Sequence, residues 1–447
     1  MNSRHFSCAA LLAALACVPE TVGAQPQSSL KEFVPFQSFL DKTRGAKLVD
    51  FAGPDAQVKD EASLEEMRQH ILTLYGGVQV SHSFVLNSSH FDCIPVEQQP
   101  GVKAQNLKTI APAPPQSIIA KPAGTDGAAD RASPASQFDP EKKTDDFGNS
   151  ASCEQNTIPM RRITLEEMTH FPTLRDFFQK GPGGSGRPSL AVPRNAPESS
   201  PTQGHKYSIM TQEVNNLGGN SNLNLWNPYV NTAWGEVFSL SQEWYVGGSG
   251  EDTQTAEVGW QNFPAKYGNE DSRLFIYWTA DYYNQTGCYN LECGAFVQVS
   301  NAAPLGGGFT AYSTHGGGQY EVSAMYYLYQ GNWWLAIQGK WIGYYPGSIY
   351  RGGQLSRYSQ NIQFGTEGVG VTVWPAEGSG NWSTSGFGSA AYQRNLYYIN
   401  LSRQWVWDSL RNYDPSPHCY STSGPFFSTS SDWGANFYEG GPGGPGC

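Results

Sequence analysis

Hydrophobic and polar positions alternate most regularly in the second half of the chain. Short runs rich in aromatic and β-branched residues recur there, and pairs or triplets of Gly separate many of them. These strand-like runs are 236–246, 255–260, 273–281, 295–300, 320–330, 333–343, 363–374 and 391–400. Short strands at this spacing predict an all-β region, folded as an antiparallel β-sandwich.

The first half carries fewer regular patterns. Residues 61–75 place apolar side chains at helical spacing, and 78–86 alternate like a strand. Residues 163–179 resemble a helix that is broken at Pro172. Residues 103–150 are rich in Ala, Pro, Asp and Ser, which indicates a flexible insertion. The pattern predicts a small mixed α/β domain over residues 25–180.

Composition divides the chain near residue 205. All 13 Trp and 23 of the 24 Tyr lie after that point, whereas 19 of the 29 Pro lie before it. Residues 181–204 combine Gly, Pro and Ser without an apolar period, so we interpret them as a linker. We therefore expect two parts with separate cores, the second of them residues 205–447.

The N-terminal residues have the pattern of a targeting segment. Arg4 and His5 precede a short apolar run, and small residues end at Ala24, which predicts a secretory signal peptide over 1–24. An alternative is a lipoprotein signal, in which Cys17 is the modified residue. No segment is long enough to span a membrane, so the mature chain is expected to be secreted. The formal net charge of −11 argues against nucleic acid as a partner.

Six cysteines follow the predicted signal peptide. An even number in an exported chain suggests three disulfides, for which 15 pairings are possible. Pairing of sequence neighbours would give the bonds Cys93–Cys153, Cys288–Cys293 and Cys419–Cys447.

Most familiar catalytic motifs are missing from the second part. It contains no nucleophile elbow, no HExxH and no phosphate-binding loop, and its only histidines are His205, His315 and His418. One of these histidines could still activate a Ser or Cys nucleophile. We expect no metal and no cofactor, which leaves carboxylates as the candidate chemistry.

Two glutamates stand within predicted strands rather than in turns. Glu257 alternates with apolar neighbours, and Glu367 is flanked by Gly365, Gly368 and Gly370. Glycine in a strand often marks the close approach of a ligand or of another backbone. On pattern alone, however, a strand glutamate is usually a solvated side chain.

A series of motifs in a fixed order resembles the neprosin family of glutamic endopeptidases. The motifs are WNPYV at 226–230, SQEWYV at 241–246, AEVGW at 256–260, RLFIYWT at 273–279, TGCYNLECG at 286–294, NWWL at 332–335, IGYYP at 342–346, GFG at 386–388, RN at 394–395 and GGPGGPGC at 440–447. The first part is similar to the propeptide of that family through FDCIP at 91–95, QQP at 98–100 and TIPMRR at 157–162.

The resemblance implies a secreted zymogen whose β-sandwich hydrolyses peptide bonds, preferably after proline. Glu257 matches the first catalytic glutamate of the family, which lies in a Glu-x-Gly-Trp motif. Glu367 matches the second, although the family motif Trp-Gly-Gly-Glu-Val reads Phe-Gly-Thr-Glu-Gly at 364–368. In this chain the neighbours of the second glutamate therefore differ from those of the family motif.

Paired carboxylates suit such a reaction. When two lie close together they cannot both ionise cheaply, so one can act as a base on water while the other remains protonated as an acid. Trp278, Tyr344 and Tyr345 are candidate residues for packing against a proline ring, and their alternative role is the sandwich core.

Two further hypotheses remain open from the sequence. An aromatic β-sandwich with acids is also typical of a carbohydrate-binding module or a glycoside hydrolase. A non-catalytic wall or surface protein is the other possibility. If the protein is a zymogen, we expect its own propeptide as a partner, held by charged carboxylates and released when acid protonates them.

Overall fold

The computed structural model describes residues 32–119, 132–137, 142–180, 204–428 and 433–447. The predicted signal peptide and nearly all of the predicted linker lie outside these residues. No helix among the described residues is both long and apolar enough to cross a membrane.

The region before residue 181 is small and mixed, as the sequence predicts. Its helices are α1 Phe36–Gly45, α2 Glu61–Leu74, α3 Pro100–Ala104, α4 Leu165–Met168 and α5 Leu174–Phe178. Its strands are β1 Ser83–Leu86, β2 Ser89–Pro95, β3 Ala132–Pro134 and β4 Thr157–Arg161. Strands β1, β2 and β4 form one antiparallel sheet with β2 in the centre.

Local sequence explains the helix boundaries of this region. The Asp60 carboxylate accepts the Ser63 backbone N–H at 2.8 Å and caps the start of α2. Thr164 and Glu167 form a capping box at α4. Pro172 separates α4 from α5, so the predicted break is confirmed. The predicted strand at 78–86 is shorter in the structure, which has only β1 there.

The second region is almost entirely β. The one α-helix among its described residues is α6 Pro264–Tyr267. Its strands are β5 His205–Asn224, β6 Glu236–Gly247, β7 Gln254–Asn262, β8 Arg273–Thr279, β9 Val297–Gln298, β10 Gln319–Tyr329, β11 Asn332–Ile337, β12 Lys340–Pro346, β13 Ser359–Gly370, β14 Val373–Trp374, β15 Ala391–Asn400, β16 Trp405–Trp407, β17 Arg411–Tyr413, β18 Ser421–Ser428, β19 Gly434–Gly440 and β20 Gly444–Pro445.

One large curled sheet contains most of these strands, in the order β8-β7-β6-β13-β5-β10-β11-β12-β9. All the pairs along this order are antiparallel. The Tyr245 and Tyr326 rings lie 5.6 Å apart although β6 and β10 are not neighbours in the sheet. The sheet therefore curls so that aromatic side chains of distant strands pack together, and the predicted β-sandwich class is confirmed.

The central strand β5 is the main element that the hydrophobic pattern does not predict. Its first half pairs with β13 and its second half with β10 and β15. A Cβ at Gly218 would lie 2.0 Å from the Tyr326 carbonyl oxygen, and one at Gly219 would lie 2.4 Å from that of Tyr397. Only glycine fits where β5 is crowded from both edges. Because β5 contains many polar and glycine residues, it does not show the alternation of hydrophobic and polar positions that predicts a strand.

Two expectations about the first region are wrong. The described parts of 103–150 are ordered on the β region: β3 pairs with β10, and the Ala111 N–H donates to the Tyr344 hydroxyl at 3.1 Å. The two regions also share one hydrophobic core, in which the Phe171 and Phe263 rings lie 5.9 Å apart. Sparse apolar content did not produce a separate core, because the first region buries its apolar side chains against the second.

Two of the three expected disulfides are present. Cys93 is bonded to Cys153, and Cys288 to Cys293. The expected bond between Cys419 and Cys447 is not formed, because both are free thiols. The two side chains nevertheless interact, since burial and then the neighbouring Cys447 raise the pKa of Cys419 to about 12.

Candidate active site

Glu257 and Glu367 lie on two strands that flank a third. Strand β6 lies between β7, which carries Glu257, and β13, which carries Glu367. Glu257 pairs with Trp244 of β6, and Glu367 pairs with Leu240 of the same strand. Because both partners are at even positions of β6, both carboxylates project from the same face of the sheet. Both side chains are fully buried.

Gln242 lies between the two glutamates on β6. Its neighbours in register are Gly259 of β7 and Gly365 of β13, so a glycine stands on each side of it. A Cβ at Gly259 would lie 2.1 Å from the Ser241 carbonyl oxygen, and one at Gly365 would lie 2.2 Å from that of Ser208. The glycine spacing noted in the sequence therefore reflects close strand packing beside the two carboxylates.

Lys180 joins the two carboxylates. Its ammonium Nζ lies 2.8 Å from Oε2 of Glu257 and 2.9 Å from Oε2 of Glu367, and it donates to Oε1 of Gln242 at 3.2 Å. The lysine is itself buried. Burial alone would lower its pKa, but the two glutamates outweigh burial and raise it. A single cation thus marks the point on which both carboxylates converge.

Neutral donors surround Glu257. Its Oε1 accepts hydrogen bonds from the Tyr283 hydroxyl at 2.6 Å and the Thr255 hydroxyl at 2.7 Å. Its Oε2 accepts the Gln242 amide at 3.2 Å. Tyr283 has a left-handed backbone with φ of 59°, an uncommon conformation for an aromatic residue. The Thr279 hydroxyl stabilises this turn by accepting the Tyr283 N–H at 2.8 Å.

Glu367 has a different set of partners. The Nδ1 atom of His205 lies 2.6 Å from its Oε1, and the Tyr207 hydroxyl donates to the same oxygen at 3.4 Å. Burial would raise the pKa of Glu367, but Lys180 and then His205 outweigh burial and lower it to about 2. Lys180 and His205 therefore favour the ionised form of Glu367 in this structure.

Aromatic rings line the face that carries the carboxylates. The Lys180 ammonium lies 5.7 Å from the ring centroids of Trp244 and Phe275 and 5.8 Å from that of Tyr277. The Tyr277 hydroxyl donates to the Phe178 carbonyl at 3.0 Å. The end of the first region therefore lies directly across the site.

The three aromatic residues predicted to bind substrate do not lie on this face. Trp278 pairs with Ala256, one position away from Glu257, so it projects from the opposite face. Tyr345 packs with Trp278 and Tyr326 in the interior, with ring centroids 6.5 and 6.3 Å away. Tyr344 packs on Trp334 in a separate cluster. Their core role is the correct one, because alternation along each strand turns them away from the carboxylates.

Sequence reasoning missed several members of the site. Lys180 lies directly before the predicted linker, where nothing in the pattern distinguishes it from a solvated lysine. Gln242 and Tyr283 lie in or beside aromatic runs and have no chemical signature of their own. His205 was noted only as a histidine. No group of three or more His, Cys, Asp or Glu side chains that could hold a metal occurs among the described residues.

Residues 235–442 match the family model described as Neprosin. The match supports the glutamic peptidase class that the sequence resemblance implies.

Solved structures similar to this chain include Scytalido-glutamic peptidase with a peptide-based transition state analog. It is 9% identical, and the alignment covers 54% of this chain and 98% of that one with a TM-score of 0.27. SCP-B, a member of the Eqolisin family of peptidases in a complex with the tripeptide Ala-Ile-His, is 10% identical. That alignment covers 53% and 97% of the two chains with a TM-score of 0.27.

Proposed function

We propose that this protein is a secreted glutamic endopeptidase, made as an inactive precursor, that cleaves peptide bonds after proline. The observation that carries the proposal is the convergence of Glu257 and Glu367 on one buried point, where the Lys180 ammonium lies within 2.9 Å of both carboxylates. An ammonium nitrogen and a water oxygen are similar in size. Withdrawal of Lys180 would leave space for a water held by two carboxylates.

The proposed reaction needs only these side chains and water. One carboxylate accepts a proton from the water as its oxygen attacks the peptide carbonyl carbon. The other carboxyl, which is protonated, polarises the carbonyl oxygen and then donates its proton to the departing amine. The aromatic rings of Trp244, Phe275 and Tyr277 make the face apolar, which suits a proline side chain.

Residues 25–180 act as the inhibitory part in this proposal. Lys180 neutralises both glutamates, and the Arg175 guanidinium donates to the backbone carbonyls of Tyr283, Asn284 and Gln285 next to the site. Pro188, Pro193, Pro197 and Pro201 lie in the linker 181–204. An enzyme that cuts after proline can therefore cut its own linker and release Lys180.

Isosteric substitution of each glutamate tests the proposal. Glu257→Gln and Glu367→Gln should each lower kcat on a proline-containing peptide at acid pH by at least ~10²-fold, the usual contribution of a general acid or base. The two effects should not add, because the residues act as one unit. Glu270→Gln, at an exposed turn position, is the matched control and should retain wild-type activity.

Two results would contradict the proposal. One is wild-type protein that has been processed in acid but does not hydrolyse the peptide, particularly if it hydrolyses a polysaccharide instead. The other is a Glu257→Gln or Glu367→Gln variant that keeps more than about a tenth of wild-type kcat. The mass and N-terminal sequence of the acid-treated protein identify the cleavage site in the same samples.

A further inference from the structure

We propose that His205 is a positioning residue that keeps Glu367 ionised, so that Glu367 is the general base of the carboxylate pair and Glu257 is the acid. This assignment deepens the proposed peptidase function and rests on it. Both Glu257 and Glu367 contact Lys180, and that shared contact does not show which of them is the base and which is the acid. The contact with His205 distinguishes them.

The contact between His205 and Glu367 is short and excluded from water. Nδ1 lies 2.6 Å from Oε1, and both side chains are 1% exposed. The other ring nitrogen, Nε2, is buried without a hydrogen-bond partner among the described residues. The imidazole packs beside Tyr207 and Phe238, with ring centroids 6.3 Å away in each case. The ring is therefore held in place for this one polar contact.

His205 is positioned by the fold and not by the inhibitory part. It is the first residue of β5, where it pairs with Val369 of β13, and Tyr207 pairs with Glu367. It therefore remains next to Glu367 when Lys180 leaves. Lys180 contributes to the charge of both glutamates in the precursor, whereas His205 contributes to that of Glu367 alone.

Without Lys180, the hydrogen-bond partners of the two glutamates accommodate different protonation states of the carboxyl group. The hydroxyls of Tyr283 and Thr255 and the amide of Gln242 each contain both a donor and an acceptor, so they can accommodate Glu257 with or without a proton. An Nδ1–H group of His205 can only donate, and an ionised carboxylate oxygen can only accept. The 2.6 Å contact between Nδ1 and Oε1 therefore favours the ionised form of Glu367.

The charged and titratable groups that face Glu367 among the described residues include His205 and Tyr207 on β5, Lys180 of the inhibitory part and Glu257 across β6. Glu377, Tyr283 and Tyr289 also interact with Glu367 electrostatically. Once Lys180 has left, His205 still lies beside Glu367 and favours its charged form, which agrees with its contribution to the lowered pKa of Glu367.

The proton movements follow from this assignment. Glu367 accepts a proton from the attacking water as the bond between water oxygen and carbonyl carbon forms. Glu257 gives its proton to the peptide nitrogen as the carbon–nitrogen bond breaks. The pair then holds one proton on Glu367, and transfer of that proton to Glu257 restores the starting state without any other reactant.

The test is the pH profile of kcat/KM for His205 variants. His205→Phe retains a ring of similar shape but removes both nitrogens, and His205→Asn retains one neutral donor. Each variant is expressed as the full chain, processed in acid with immobilised wild-type enzyme that is then filtered off, and assayed on a proline-containing peptide. His418→Phe, at an exposed position, is the matched control.

We expect the acid limb of the profile to move to higher pH by about one unit in His205→Phe, because Glu367 loses a partner that favours its charged form. His205→Asn should move it by part of that amount, and His418→Phe should not move it. His205→Leu also removes the donor and replaces the phenylalanine variant if that variant does not fold.

Other outcomes would overturn the assignment. A lower rate with an unmoved acid limb would make His205 merely structural. Movement of the alkaline limb alone would make Glu367 the acid. An asparagine variant with the wild-type limb would show that the imidazole at position 205 has no specific role. Processed wild-type enzyme that fails to hydrolyse the peptide would overturn the peptidase proposal itself, and this result is distinct from an unmoved limb in an active enzyme.

Discussion

Lys180 is the residue of the first region that contacts both carboxylates of the site. Its charge is buried and is balanced by two carboxylates, each within 2.9 Å. Removal of one partner from a buried ionic group is strongly destabilising, because it leaves uncompensated charge in a medium of low polarity. The precursor therefore depends on this lysine both for its inactivity and for the stability of the inhibitory contact.

Replacement of Lys180 should weaken that contact. In a Glu257→Gln background, which prevents self-cleavage, we expect Lys180→Met to lower the free energy of unfolding of the full-length chain by about 3 kcal/mol. Chemical denaturation at pH 7 measures this change. Lys142→Met is the control, since Lys142 makes only an exposed ion pair with Asp146. Equal stability of the Lys180 and Lys142 variants would show that the buried cation contributes nothing.

At the residue scale, the sequence motifs predicted both glutamates, and the structure places them on one face. Glu257 was recognisable because Gly259 must follow it to admit the Ser241 backbone. The aromatic candidates were wrong because adjacent residues of a strand face opposite ways, and only the register of β7 with β8 shows that Tyr277, and not Trp278, shares the face of Glu257.

At the scale of elements, helix α2 presents a titratable group to the β region. Nε2 of His70 lies 2.8 Å from the Glu292 carbonyl oxygen, and its ring packs edge-on against Phe178 at 5.0 Å. Burial lowers the pKa of His70 from 6.5 to about 4. The lowered pKa of His70 makes it a candidate acid trigger in addition to the carboxylates that the sequence predicts.

Protonation of His70 should release α2 from the β region. Because its pKa is lower in the folded precursor than in the unfolded chain, the stability that the neutral imidazole supports is present above pH 6.5 and is lost as the pH falls towards 4. In the Glu257→Gln background, the His70→Gln variant should therefore be cleaved by added protease only at a lower pH than the chain with His70.

The pH midpoint of that cleavage measures the effect. His82→Gln is the comparison variant, because His82 lies in the same region and is only partly buried. If the midpoints of the His70 and His82 variants coincide, His70 is not part of the trigger.

Helical period and strand alternation predicted most of the remaining elements. Residues 61–75 and 391–400 appear almost as expected, as α2 and β15. The predicted strand at 333–343 is instead the hairpin of β11 and β12, which turns at Gln338 and Gly339, both with positive φ. Strand β5 escaped prediction because its long-range partners, and not its own pattern, make it a strand.

At the scale of the whole molecule, several acids besides the two glutamates of the site are buried in the sandwich. Burial raises the pKa of Glu439 to about 8 and those of Glu243, Glu377 and Asp408 well above their ordinary values. Glu439 accepts the Ser241 hydroxyl at 2.6 Å. These carboxyls are stable in the fold as neutral acids, so the sandwich is suited to acid conditions.

The fold should accordingly lose stability as the pH rises. A carboxyl whose pKa is raised by folding contributes stability that is fully present below its unfolded pKa, near 4.5, and is lost as the pH rises through its folded pKa, about 8 for Glu439. Thermal unfolding midpoints of the Glu257→Gln chain should fall from pH 5 to pH 8. Glu439→Gln should reduce that slope, whereas Glu270→Gln should not. A midpoint that is constant or rises over this range would contradict the prediction.

The amino-acid sequence determined the all-β class, the small mixed region before it and the two glutamates, because strand period and short motifs are local properties of the chain. Tertiary structure decided the rest. Lys180 and His205 reach Glu367 from distant points of the sequence, and the aromatic candidates face the core because of strand register. Such contacts depend on how the sheet curls, and no local pattern records them.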